Sequence, residues 1–358
     1  MKSSLLLVLF FYFSMASAQN IPLYVGTYTD ADSEGIYLYD FNLKTGELTN
    51  KKLAVEAVNP SYITFSSDKK QLYSVGEVDN FEGTKSGFVN AYAVSKSGML
   101  NFINNVSSNG SHPCHIQLNS DNSKVAVSNY TGGTISVHSL SKTGEISQAT
   151  QVIDHYKRSE QSHAHSAKFF KNNLFVADLG LNTFSQYHFA ANDKKYLIKT
   201  SYKIENNAGP RHFEISKKGK FIYVINELNS TISVLKQQKD HYVFVQNIST
   251  LADGFDGKSF CADIHLSKDG RFLYGSNRGE NSIVAFKIHK KSGALQKTQT
   301  ISTNGDWPRN FTLSPEGNYL LVANQRSKNI SVFSVNKNSG NLTFLHSIVS
   351  PTPSCLLF

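Results

Sequence analysis

Five side chains of this sequence could share one piece of chemistry: His163, His165, Arg211, Glu227 and Arg278. A guanidinium grips a carboxylate or phosphate through its planar fork. An imidazole titrates near neutrality and serves as base or acid, and a carboxylate can activate water. Together they have the composition of a catalytic site for an anionic or ester-like ligand. His115, His212, Asp263 and Arg309 are expected to bind substrate beside them, within a wider polar set that includes His112, Glu77 and Asp178. No metal and no cofactor is expected. His163 and His165, two apart on an extended strand, should point to opposite faces, and a zinc site needs three or four convergent ligands. No Gly-x-Ser-x-Gly elbow marks a serine hydrolase.

These residues lie far apart in the chain, so a repeat must bring them together. One string reads Pro60-Ser-Tyr-Ile-Thr-Phe, a polar turn, then Gln71-Leu-Tyr-Ser-Val-Gly. It returns from Pro113, from His165 in shortened form, and from Pro210, Cys261 and Pro308. Each copy is an apolar-alternating hairpin. A third-strand pattern follows, as in Gly133-Thr-Ile-Ser-Val-His or Asn281-Ser-Ile-Val-Ala-Phe, and it occurs seven times. Most copies then carry a Lys-x-Gly turn and a fourth strand. Four strands per unit, at a spacing of roughly 45 to 53 residues, is the arithmetic of a β-propeller. Six complete copies are present, and the seventh comes from both ends. Pro353-Ser-Cys-Leu-Leu-Phe supplies its first strand, Leu23-Tyr-Val-Gly-Thr its second. The fold class is therefore all-β, a seven-bladed propeller of four antiparallel strands per blade, closed by the N- and C-terminal strands.

The repeat also predicts where chemistry sits. In each hairpin the start of the first strand lies beside the end of the second. With the first strand innermost, these positions ring one mouth of the central channel. The starts read Ser61-Tyr62, Cys114-His115, Ser166-Ala167, Arg211-His212, Ala262-Asp263 and Arg309-Asn310. The ends read Gly76-Glu77, Asn129-Tyr130, Asp178-Leu179, Asn226-Glu227, Asn277-Arg278 and Asn324-Gln325. Asn129, Asn226, Asn277, Asn324 and Asp178 recur at one position, which argues for a turn or cross-blade hydrogen bond. Asp263 is expected to pair with Arg211 or Arg278 if the ring forms an ionic network. Arg309 either binds substrate or pairs with a neighbouring blade.

Residues 1–18 read as a cleaved export signal: Lys2, an apolar run from Leu5 to Phe13, then Ala16-Ser17-Ala18, leaving Gln19 first in the mature chain. The run is short of the roughly 20 residues of a span, so the domain 19–358 is expected outside the cytoplasm, periplasmic or extracellular, with no membrane span. The net charge of +9 is spread over turns, which excludes a nucleic-acid track and leaves a mild bias towards anionic ligands. Three cysteines, Cys114, Cys261 and Cys355, fall on the same strand of different copies and are expected as buried free thiols.

Tyr24-Val-Gly-Thr-Tyr-Thr29, His163-Ala-His165, Gly209-Pro-Arg-His212, Tyr223-Val-Ile-Asn-Glu227 and Ser276-Asn-Arg278 together resemble the lactonase seven-bladed propeller family. That family includes bacterial propeller-type 6-phosphogluconolactonases and fungal 3-carboxy-cis,cis-muconate cyclases, and the resemblance covers nearly the whole mature chain. It implies lactone hydrolysis or formation without an obligatory metal. It also implies a site of one His (His163 or His165), two Arg (Arg211 and Arg278) and one Glu (Glu227). The expected substrate is a small lactone or anionic sugar acid. The export signal departs from the cytoplasmic sugar-phosphate role, which leaves phosphorylation of that substrate open. Three functions fit: a lactone hydrolase with Glu227 or a His as base, a carboxymuconate-lactonising cyclase or isomerase, and a non-catalytic binding protein for an anionic ligand.

Overall fold

The computed structural model describes residues 20–157 and 159–358. The expected signal, residues 1–18, and Gln19 lie outside the described residues. Among the described residues, twenty-eight strands form seven four-stranded antiparallel sheets, each wound outward from the central channel in chain order, with one exception. That exception is blade 1, in which Pro353–Leu357 is innermost, followed by Asn20–Thr27, Gly35–Asn42 and Leu48–Glu56. Tyr24 faces Leu357 and Gly26 faces Cys355 across this join. Blade 1 is thus shared between the N- and C-terminal strands. Gly26 is needed there, since a Cβ would run into the Pro60 carbonyl oxygen of the next blade.

The inner strands of blades 2 to 7 are Ile63–Phe65, Pro113–Leu118, Ala164–Phe170, Pro210–Ile215, Phe260–Leu266 and Pro308–Leu313. Second strands such as Phe221–Asn226 are buried on both faces, because each blade is packed between two others. Their apolar runs are therefore nearly continuous. Outermost strands such as Ile146–Asp154 alternate between covered and exposed residues, as expected for a sheet with one wet face. The core lies between blades. Leu23, Val25 and Phe41 of blade 1 pack on Leu321, Ile330 and Val332 of blade 7. Burying side chains of this size contributes about 1.5–3 kcal/mol each.

Polar links lock neighbouring blades. Tyr24, Tyr73 and Tyr274, at one position of the second strand, donate to carbonyl oxygens of Gly98 (2.6 Å), Gly144 (3.1 Å) and Gly340 (2.8 Å) in the next blade. The glycine turns seen in the sequence are thus the sockets for the preceding blade. Asn129 donates to Ser108 O at 2.9 Å and Asn277 to Thr250 O at 3.1 Å, both in the preceding blade. Asn226 and Asn324 bond within their own hairpins. Asp178 accepts from His155 Nδ1 at 2.7 Å and Ser162 Oγ at 2.6 Å. The recurring amide position is scaffold.

Candidate active site

The inner strands of blades 3, 4, 5 and 7 share one irregularity. Their ladders skip a residue between Pro113 and His115, Ala164 and Ser166, Pro210 and His212, and Pro308 and Asn310. A bulge re-aims the side chain it releases. The released residues are Cys114, His165, Arg211 and Arg309. Blade 6 skips two, Ala262 and Asp263. The register expected for blade 4 is corrected by this. His165-Ser166, not Ser166-Ala167, is the counterpart of Arg211-His212, because Ala164 pairs with Asp178 as Pro210 pairs with Asn226.

Glu227 follows the second strand of blade 5 and lies between two guanidiniums. Arg211 Nε donates to its Oε2 at 2.9 Å, and Arg278 Nη2 lies 2.8 Å from the same oxygen. Arg211 Nη1 also donates to Ala262 O at 2.5 Å, and Arg278 Nη2 to Cys261 O at 2.9 Å. The side chains of Arg211, Arg278 and Glu227 are 2%, 5% and 17% exposed. Burial alone would raise the Glu227 pKa, but Arg278, Arg211 and Arg309 outweigh it and hold the carboxyl below its ordinary range. Burial and the neighbouring guanidiniums bring Arg278 down to about 10, against the pull of Glu227. Glu227 Oε1 accepts no hydrogen bond from the protein among the described residues. The carboxylate is therefore ionised, with one oxygen pinned and the other free.

His165 is buried. Burial, with Arg211, His212, Arg309 and Arg278 nearby, pushes its pKa well below the ordinary value, so the ring is neutral. Its Nδ1 sits 3.8 Å from Cys114 Sγ, and its Nε2 bonds to no described residue. Tyr130 sets both histidines. It stacks on His163 at 4.5 Å and meets His165 edge-on at 5.6 Å. The expectation of opposite faces therefore fails. His163 lies before the strand, held by Tyr130 O at 3.1 Å, and the bulge turns His165 back to the same ring. His163 opens onto a cleft of about 760 Å³ lined by Gln161, Gly180, Asn182, Lys203 and Leu228.

The opposite side of the mouth carries Glu77 and Arg309. Glu77 Oε2 accepts from Tyr28 Oη at 2.8 Å and from Ser61 Oγ. Arg309 lies over the Tyr28 ring at 5.1 Å, with Nη2 4.0 Å from Glu77. Arg278 and Arg326 flank Trp307, at 5.1 and 3.3 Å.

His115, His212 and Asp263 sit one layer below the mouth. Asp263 is 1% exposed and pairs with neither Arg211 nor Arg278, contrary to expectation. The arginines are already taken by Glu227, and the bulge of blade 6 turns Asp263 into the channel. There it accepts from His212 Nδ1 (2.7 Å), His265 Nε2 (3.0 Å), Asn310 Nδ2 (2.5 Å) and the backbone N–H of Ile264 (3.0 Å). Its pKa falls well below the ordinary value, because His265 and His212 outweigh burial. His212, lowered to about 4 by burial and Arg211, is neutral. Its Nδ1–H is committed to Asp263, so Nε2 faces Arg211 Nη1 at 3.4 Å as an acceptor. A third layer follows: His265 lies 3.6 Å from Glu214, which Lys168 meets at 3.0 Å. His115 packs against Tyr62 and His212, and its Nδ1 is buried without a partner.

Ser61 and Tyr130 lie at the mouth, as their repeat positions predict, whereas Tyr28 is a mouth residue absent from the predicted ring. Tyr28 occupies the same repeat position as Glu77, Tyr130 and Glu227, directly after the second strand, and that shared position is the signal that could find it. Among the described residues, no group of three or more His, Cys, Asp or Glu is placed to hold a metal ion.

A family profile described as "Lactonase, 7-bladed beta-propeller" matches residues 22–358. A Bacillus subtilis protein named 6-phosphogluconolactonase is 33% identical over 344 residues, which span 94% of this chain and 97% of that protein. A Formosa agariphila protein of the same name is 35% identical over 306 residues, 81% of this chain and 86% of the relative. The solved structure of a Pseudomonas aeruginosa periplasmic gluconolactonase superposes with a TM-score of 0.88 at 31% identity, covering 95% of this chain and 99% of that one.

Proposed function

This chain belongs to the lactonase family of seven-bladed β-propellers and is a lactone hydrolase resembling the 6-phosphogluconolactonases, and we propose that it opens its substrate ring at the channel mouth through Glu227, Arg211, Arg278 and His165. The observation that carries this assignment is the Glu227 carboxylate, with Oε2 held by two guanidiniums and Oε1 free.

The chemistry follows from charge. Water placed at Oε1 gives a proton to Glu227 as its oxygen attacks the lactone carbonyl. The negative charge leaves the carboxylate and appears on the tetrahedral oxygen. Arg211 and Arg278, until then compensated by Glu227, are left to stabilise that oxyanion, and they are already ordered when the charge arrives. Collapse breaks the bond to the ring oxygen, and the proton on Glu227 passes to that leaving oxygen. The product is a hydroxy acid, and Glu227 is ionised again. His165, neutral, offers a hydrogen bond to water or substrate without adding a fourth charge. His163 borders the adjoining cleft, where the rest of the substrate would lie.

The test is hydrolysis of glucono-1,5-lactone and 6-phosphogluconolactone by the purified protein, followed as acid release above the spontaneous rate. Glu227→Gln and Arg278→Ala should each lower kcat/KM on the order of 100-fold or more. Losses below about fivefold in both would remove the assignment. The sequence of residues 1–18 and the periplasmic location in the name of the Pseudomonas relative support action outside the cytoplasm. Fractionation of cells expressing the full chain tests this.

A further inference from the structure

The two sides of the mouth are satisfied very differently. Arg211 and Arg278 spend their donors on Glu227 and on backbone carbonyls. Arg309 is only 17% exposed, yet among the described residues no protein acceptor takes a hydrogen bond from it. It is held by the Tyr28 ring at 5.1 Å and by a loose 4.0 Å approach to Glu77. A guanidinium has five donors in a rigid fork, and a largely buried one with none engaged is short of partners. Glu77, 13% exposed, mirrors this: Oε2 is occupied by Tyr28 and Ser61, while Oε1 bonds to no described residue. An unengaged donor fork therefore stands beside an unengaged acceptor oxygen.

Their complement is a group that both donates and accepts at neighbouring atoms. A pair of adjacent hydroxyls does so: one donates to Glu77 Oε1, and one accepts from Arg309. A phosphate does not. It offers only acceptors and would bring negative charge against the Glu77 carboxylate. The other two cations of the mouth already share Glu227.

Building on the lactonase reading, we infer that Tyr28, Glu77 and Arg309 form a second half-site that binds neighbouring hydroxyls of an uncharged, polyhydroxylated lactone. Glu77 and Arg309 touch the substrate. Tyr28 positions them, fixing Glu77 through its hydroxyl and Arg309 through its ring. The terminal hydroxyl of the lactone is one of the bound pair, so substrates are selected by their hydroxyls and a phosphate on that oxygen, as in 6-phosphogluconolactone, is disfavoured.

The experiment compares kcat/KM for glucono-1,5-lactone, δ-valerolactone (which lacks the hydroxyls) and 6-phosphogluconolactone. The wild-type protein should prefer gluconolactone to its phosphate. In Glu77→Gln the ratio of gluconolactone to δ-valerolactone should fall about 10- to 100-fold, the size of one or two hydrogen bonds lost from a buried site. Tyr28→Phe removes only the hydroxyl and should move the ratio the same way by less. The phosphorylated substrate should gain on gluconolactone in Glu77→Gln. A ratio unchanged in both variants, or a wild-type preference for the phosphate, overturns the half-site while leaving lactone hydrolysis standing. If no lactone is turned over, the hydrolase reading fails. The half-site then stands or falls on gluconate binding by calorimetry, which Glu77→Gln should weaken at least tenfold.

Discussion

Asp263→Asn tests how the channel holds its charges. His265 is 28% exposed and lies 3.0 Å from Asp263 and 3.6 Å from Glu214. Burial alone would lower its pKa, but Asp263 and Glu214 outweigh it and raise it from 6.5 to about 10. At about 1.4 kcal/mol per tenfold change in proton affinity, that rise corresponds to roughly 5 kcal/mol. The folded chain binds the proton more tightly than the unfolded chain. The contribution is therefore complete below about pH 6.5 and fades as pH climbs through about 10. About 4 kcal/mol should persist at pH 7 and less than about 1 kcal/mol at pH 10. Breaking a buried pair by removing one partner costs about 3–5 kcal/mol, the same scale. Urea unfolding of both proteins should show Asp263→Asn less stable by about 3–5 kcal/mol at pH 7, with the gap falling to less than half at pH 10. A gap below about 1 kcal/mol at pH 7, or an equal gap at both values, would refute the reasoning.

Three other outcomes follow from the same geometry. The pKa of His165 lies well below its ordinary value and that of Glu227 below its own, so both are already deprotonated at pH 6. Corrected hydrolysis rates should therefore show no acid limb near pH 6.5, and an inflection there that disappears in His165→Gln would contradict the assignment. Cys114, Cys261 and Cys355 are buried and free, and burial raises all three thiols, Cys261 and Cys355 to about 12. The native protein should resist iodoacetamide at pH 8 and take up three equivalents once unfolded; rapid native labelling would show a more open mouth. In Gly180→Ala the new Cβ would strike Gln161 O and press on His163. The rate should drop at least tenfold as the His163 loop shifts, with the propeller's circular dichroism retained, and wild-type kinetics would show that His163 is dispensable.

The blades are legible in the sequence because a repeat imposes the same demand seven times. The glycine turns mark the blades, and the Pro353 string is enough to identify the closure. The site is legible only where side-chain type outlasts a small shift in register. Arg211, Glu227 and Arg278 lie together because two of them share one repeat position at the end of second strands. The pattern puts His165 one residue out, because a bulge in blade 4 leaves no trace in apolar alternation. It pairs Asp263 with the wrong partners, since a double skip in blade 6 turns that side chain inward. Lys168, Glu214 and His265 give no signal of their own. Each sits between two apolar residues of its inner strand: Lys168 between Ala167 and Phe169, Glu214 between Phe213 and Ile215, His265 between Ile264 and Leu266. An alternating strand shows which residues leave the core, but not whether they enter water or a channel.

The join in blade 1 has a kinetic consequence. Its innermost strand, Pro353–Leu357, is the last strand in chain order, and it pairs with Asn20–Thr27, the first. A ring latched this way cannot close before residues 353–357 have been made, however early its middle blades form. Until that strand emerges, the Asn20–Thr27 edge and the flank of the Pro308–Leu313 blade stay unpaired, and unpaired edges invite aggregation. The closing strand thus acts as a timer, keeping the ring open until it has been made and committing it within one hairpin-sized step.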